Sequence, residues 1–152
     1  MKQVVVFGLG GELYGMDIFD LQEIIRMEKI THIPKAPPFI EGVINLRGKI
    51  VPVIDLKKRF EIEEGDKSHD PRIIVVNIDD LVAGFIVDYV TEVAAVKDED
   101  LEPPPSALAL ASFIQSLAKI KDRIVILIKT AEILNVREKE ELKNLSKEDS
   151  IR

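Results

Sequence analysis

The chain has 152 residues, an apolar fraction of 46%, no cysteine and a formal net charge of −6. That is one domain's worth of sequence with enough apolar material to fill a core. The missing cysteine excludes a disulfide framework, a thiolate metal site and a cysteine nucleophile, and the acidic balance argues against a broad nucleic-acid footprint.

Met1-Lys2-Gln3 opens into an apolar run that stops at Gly8 and Gly10. The run is too short for a signal-peptide core or a membrane span, so a cytoplasmic protein without direct membrane insertion is expected. Gln3 to Leu9 and Glu12 to Asp17 read as strands joined by Gly10-Gly11, a pair suited to a tight hairpin turn. Ile18, Leu21 and Ile25 recur at helical spacing, which predicts two helical turns over Ile18 to Arg26. Gly42 to Leu46 and Lys49 to Ile54 form a second hairpin around Arg47-Gly48. Pro52 inside that run has no N–H to donate, so its strand is expected at an edge or bulged.

A third hairpin joins Arg72 to Ile78 with Leu81 to Val87 through Asp79-Asp80. Val90 to Val96 adds a strand, and Pro103-Pro104-Pro105 marks 98–112 as a connection. Leu117 to Ile120 and Arg123 to Ile128 make the last hairpin, followed by one helical turn over Thr130 to Leu134. From Val136 onward charges alternate, predicting a fraying terminal helix anchored by Leu142 and Leu145. So many short strands favour an all-β class, with two barrels of about five strands each.

Charge is unevenly placed. Glu61 to Asp70 and Lys97 to Glu102 are acidic and read as solvated loops, whereas Lys35 to Phe60 carries six cations against Glu41 and Asp55. Such a basic patch suits either a solvated strand rim or an acidic protein partner. Catalytic patterns are missing. Gly8-Leu9-Gly10-Gly11-Glu12-Leu13 begins like a dinucleotide fingerprint but has Leu13 where the third glycine belongs. His32 and His69 lack neighbours at metal-ligand spacing, and no Gly-x-Ser-x-Gly elbow or phosphate-binding loop occurs. No enzyme activity, cofactor or metal is expected.

The segment EGVINLRGKIVPVIDL, Glu41 to Leu56, is more detailed than a hairpin requires. It resembles the CheW family, and the resemblance continues through Gly15-Met16-Asp17, the LQEII at Leu21 to Ile25, Ile33-Pro34 with Pro38-Phe39-Ile40, AGFIVDYVTEV at Ala83 to Val93, and DRIVILIKTAEIL at Asp122 to Leu134. Ser116 departs from the pattern where a glycine is common, and Lys129 where an acid often follows the last strand.

The resemblance implies a mainly β fold of two intertwined five-stranded SH3-like barrels with short helices, over 1–136, and a charged C-terminal helix or tail over 137–152. It also implies a non-enzymatic chemotaxis adaptor, recruited to receptor arrays at the inner membrane face. Its partners would be the regulatory domain of the histidine kinase CheA, the cytoplasmic tips of methyl-accepting chemotaxis receptors, and further CheW copies in rings. The alternative is a CheW-like regulatory module related to CheV or to CheA's own regulatory domain, which the 152-residue length disfavours because no room remains for catalytic or receiver domains.

Six residues carry the expected partner surface. Leu21 is placed on a kinase-facing surface, and Ile50 with Val90 in a groove for the receptor's helical tip. Gly42 fits either a plain turn or a close backbone approach. Arg47 is expected to grip Glu23 with its planar fork and so fix the turn in a binding-competent shape.

Overall fold

The computed structural model describes residues 1–63, 70–104, 106 and 112–150. Among them, strands β1 (Lys2–Leu9), β2 (Glu12–Asp17), β8 (Tyr89–Val96), β9 (Leu101–Glu102), β10 (Ile114–Ile120) and β11 (Arg123–Ile128) form one sheet in the order β8-β1-β2-β11-β10-β9. Strands β3 (Leu21–Arg26), β4 (Ile40–Leu46), β5 (Lys49–Asp55), β6 (Arg72–Ile78) and β7 (Leu81–Val87) form the other, in the order β3-β6-β7-β5-β4. The N-terminal hairpin thus completes a sheet made by the C-terminal strands, while the second sheet comes from the chain between them. We call the two curled sheets barrel A and barrel B.

The continuous apolar runs of β1 and β6 follow from burial on both faces. Val4 and Val6 fill barrel A with Val96, Ala118, Val125 and Leu127. Ile73 and Val75 fill barrel B with Ile44, Leu46, Val51 and Val53. The alternate residues Val5, Phe7, Leu9, Ile74, Val76 and Ile78 enter one core shared by both sheets.

The two barrels repeat one plan. Hairpin β1–β2 corresponds to β6–β7, β8 on β1 to β3 on β6, and β10–β11 to β4–β5; the parallel pair β11–β2 matches β5–β7, with Leu127 opposite Gly15 as Val53 is opposite Gly84. Even the irregularities recur. Bulges fall at Gln22 and Thr91, and at Glu41 and Gln115. The turns Gly10-Gly11, Arg47-Gly48, Asp79-Asp80 and Lys121-Asp122 all hold positive φ at both residues, the geometry that matches the twist of a two-residue hairpin.

Three expectations change. Ile18 to Arg26 is not a helix: Ile18–Asp20 makes a single 3-10 turn capped by Asp17, and Leu21–Arg26 is strand β3, alternating half-buried and exposed. Helical spacing of Leu21 and Ile25 also satisfies a strand of period two, and pairing with β6 decides the matter. Pro52 lies in an internal strand, not an edge. Its partner Val43 spends both N–H and C=O on Thr31, at 2.9 and 2.8 Å, so the Val43–Pro52 pair exchanges no hydrogen bonds and the missing N–H costs that ladder nothing. The connection after Val96 holds the short strand β9, and a short helix α1 (Leu56–Arg59) follows β5, capped by the Asp55 carboxylate.

The terminal helix α2 (Val136–Ser150) is tied at its start by a reciprocal cap. The Glu138 N–H donates to Asn135 Oδ1 and the Asn135 N–H to Glu138 Oε1, each at 2.8 Å. Arg59 grips the Glu138 carboxylate at 2.8 and 3.0 Å, donates from Nε to the Ile133 carbonyl at 2.8 Å, and lies 4.6 Å over the Phe39 ring. Leu142 enters the shared core and Leu145 is half-buried. His69, Pro105 and most of the acidic loop lie outside the described residues.

Candidate protein-interaction site

Barrel B brings Glu23 and Arg47 together from its opposite edges. Glu23 sits on edge strand β3, and Arg47 opens the turn after edge strand β4, with three strands between them in the sheet. Their contact therefore marks the seam where the sheet curls back on itself. The bulge at Gln22 makes this possible: Leu21 opposes Val76 and packs on the shared core, while Glu23 opposes Val75 and faces the barrel's mouth.

The contact is a two-bond fork. Arg47 Nη1 donates to Glu23 Oε1 at 3.0 Å, and Nη2 donates to Oε2. Arg47 holds a φ of 51°, and Gly48, at 84°, donates its N–H to Asn45 Oδ1 at 2.9 Å. Hydrogen bonding from Arg47 holds the Glu23 carboxyl below its ordinary value, with a smaller share from the guanidinium charge. Two thirds of the Arg47 side chain still reaches solvent.

Gly42 has a structural reason. Its φ is 149°, and a Cβ there would stand 2.0 Å from the Thr31 carbonyl oxygen, because Thr31 bridges to Val43 along the outer edge of β4. Glycine is required by both backbone conformation and close approach.

The apolar members divide between the barrels. Leu21 and Val90 are half-buried and pack against the shared core from β3 and β8. Ile50 is half-buried beside the Arg47-Gly48 turn on β5. By register Leu21 and Val90 are equivalents, each preceding a bulge and a glutamate. Ile50 has its own equivalent in Ile124, opposite Lys119 as Ile50 is opposite Asn45.

The basic patch between Lys35 and Phe60 is largely answered within the chain. Arg47 pairs with Glu23, Lys57 with Asp88, Lys58 with Glu41 and Arg59 with Glu138. Glu41 belongs to the segment itself, and Glu23, Asp88 and Glu138 from elsewhere in the chain answer three of its four excess cations, so charge alone gives little argument for an acidic partner.

Sequence reasoning missed Phe19 and Asp88. Phe19 is 92% exposed on the capped turn before β3, and Ile24 and Met27, farther along the same segment, are exposed apolar residues too. Reading 18–26 as a helix hid their exposure. Asp88 is 9% exposed; it accepts the Gly10 N–H at 2.9 Å and pairs with Lys57 Nζ at 2.8 Å, tying the first hairpin to α1. An acid inside an apolar run, at Val87-Asp88-Tyr89, was its only signal. Among the described residues no cluster of acids and histidines could hold a metal, and no helix is long and apolar enough to cross a membrane.

A duplicated small barrel, with each copy built on the same bulged edge strand and hairpin, defines a two-barrel SH3-like module. The chain belongs to the CheW-like family: the CheW-like domain profile matches residues 3–138. It is 34% identical over 149 residues to the chemotaxis protein CheW of Treponema pallidum, covering 94% of this chain and 88% of the relative. It is 35% identical over 148 residues to that of Klebsiella aerogenes, covering 96% and 89%. Among solved structures, the scaffolding protein TtCheW from Thermoanaerobacter tengcongensis superposes with a TM-score of 0.82 at 50% identity, covering 90% of this chain and 94% of its own.

Proposed function

We propose that this chain is a non-enzymatic chemotaxis adaptor that holds receptor cytoplasmic tips against the regulatory domain of CheA in arrays at the inner membrane face. Full-length similarity to chemotaxis CheW proteins supports the reading, and one structural observation carries it to residues: the Glu23–Arg47 fork that closes barrel B beside Leu21 and Ile50. The fork immobilises a hairpin tip and an edge strand at once, so the apolar residues beside it meet a partner preorganised. Leu21, with exposed Phe19 and Ile24, forms the kinase-facing strip; Ile50 and Val90 line the receptor side; Gly42 keeps β4 in place; the exposed part of Arg47 remains available to a carboxylate.

An adaptor of this kind needs no chemistry of its own. Fixed geometry between receptor and kinase lets a receptor shift bias the kinase equilibrium. Co-sedimentation of the chain with receptor cytoplasmic fragments and CheA tests the proposal. A ternary complex that forms only with this chain present is the expected result; binding to neither component would overturn it.

A further inference from the structure

The equivalence of the barrels extends to a charge cluster that the partner surface described above leaves unused. Glu92 on β8 stands where Glu23 stands on β3: Val90 opposes Phe7, Thr91 is the bulged residue, and Glu92 opposes Val6, as Leu21, Gln22 and Glu23 meet Val76 and Val75. Lys121 stands where Arg47 stands, first in a two-residue turn, with the same φ of 51°. Glu92 accepts from Lys121 Nζ at 2.6 Å and from Arg123 Nη2 at 2.8 Å.

Strands β8 and β10 are separated in the sheet by β1, β2 and β11, yet they touch, so this cluster sits on the seam of barrel A. A lone surface ion pair would contribute little. Here two cations converge on one carboxylate that is itself mostly covered, and Thr91 Oγ1 donates to the Val6 carbonyl at 3.3 Å, pinning the bulge next to it.

We propose that Glu92 is a positioning residue: through Lys121 and Arg123 it holds β8 against the β10–β11 hairpin and so fixes Val90 for its partner, as Glu23 does for Leu21. The proposal rests on the reading of Val90 as a receptor-side contact. It makes barrel A and barrel B two copies of one latch, that of barrel A beside Val90 and that of barrel B beside Leu21 and Ile50.

The test measures binding of the full chain to a soluble receptor cytoplasmic fragment and, separately, to the CheA regulatory domain. Glu92→Ala should weaken the receptor fragment about tenfold and leave the kinase domain within about twofold. Lys121→Ala with Arg123→Ala should reproduce this, and adding Glu92→Ala should weaken binding little further. Glu92→Asp should retain most of the affinity. Val90→Asp separates the two claims. If Val90→Asp abolishes receptor binding while Glu92→Ala leaves it intact, the positioning role is wrong and the reading of Val90 stands. If Val90→Asp binds fully, that reading fails and takes the proposal with it. A Glu92→Ala chain that melts lower and loses both partners in parallel would show a merely structural acid and overturn the proposal.

Discussion

Barrels A and B share strand order, bulges and turns, yet their edge hairpins are secured differently. In barrel B, Gly42 lies against Thr31, which makes a single bridge to Val43. In barrel A the equivalent position is Ser116, and the neighbouring Leu117 pairs instead with Glu102 of β9. Ser116 is not among the residues with positive φ. The glycine that this family commonly has before the last hairpin is thus dispensable where a short strand, not a tight loop crossing, covers the edge. Asp55 and Lys129 differ in the same way: Asp55 caps α1, whereas Lys129 offers no side-chain cap to the 3-10 turn that follows it. One plan tolerates departures wherever the local backbone does not demand a particular atom.

Whether the barrels are two units or one is decided by the shared core. Phe85 of barrel B is fully buried there, together with Phe7 of barrel A. Phe85→Ala should cost about 4 kcal/mol. Both barrels should unfold in a single transition, seen as coincident loss of β signal and amide protection. Separate transitions would make the barrels independent.

Gly42→Ala and Ser116→Gly sharpen the contrast between the hairpins. The first should cost about 3 kcal/mol, since the new methyl would meet a backbone oxygen in a conformation that side chains avoid. The second should cost under about 1 kcal/mol, from chain entropy alone. Equal losses by denaturant titration would refute the distinction. Asp88→Ala tests the tie between the first hairpin and α1. A loss of about 2 kcal/mol is expected, below the cost of breaking a fully buried pair because both side chains keep some contact with water.

The smallest stability effects lie at the seams, where the readouts are binding and pH. Glu23→Ala and Arg47→Ala should each weaken kinase-domain binding about tenfold, and the double variant should fall well short of the product of the two. Strict additivity would dissolve the pair as a functional unit. Hydrogen bonding from Arg47 lowers the Glu23 pKa and hydrogen bonding from Lys121 lowers that of Glu92, each from an ordinary 4.5. Groups lowered in this way stabilise the fold above that value, and the stabilisation is lost as pH falls through the lowered one. Asp55 has the opposite sign: burial raises it, so its contribution is full below its ordinary 3.8 and declines as pH rises through the raised value. Glu23→Gln with Glu92→Gln should therefore flatten the acid limb of the stability profile, and Asp55→Asn should steepen it.

Strands with strong β-branched runs and two-residue turns were legible in the sequence, because alternation and positive-φ turn residues act locally. The family pattern singled out Glu23 and Arg47, but their pairing was expected with Glu23 on a short helix and is made from a strand. Tertiary structure decided the rest. The segment Leu21 to Arg26 became a strand because β6 offered an open edge, and Pro52 sits inside a sheet because Val43 turns its hydrogen bonds toward Thr31. The excess charge of the basic patch was answered by Glu23, Asp88 and Glu138, and Glu92 took its place as the counterpart of Glu23. Each of these depends on which distant segment lies alongside, and a short window of sequence holds no record of that: pairing across a sheet and charge across a seam are properties of the folded neighbours.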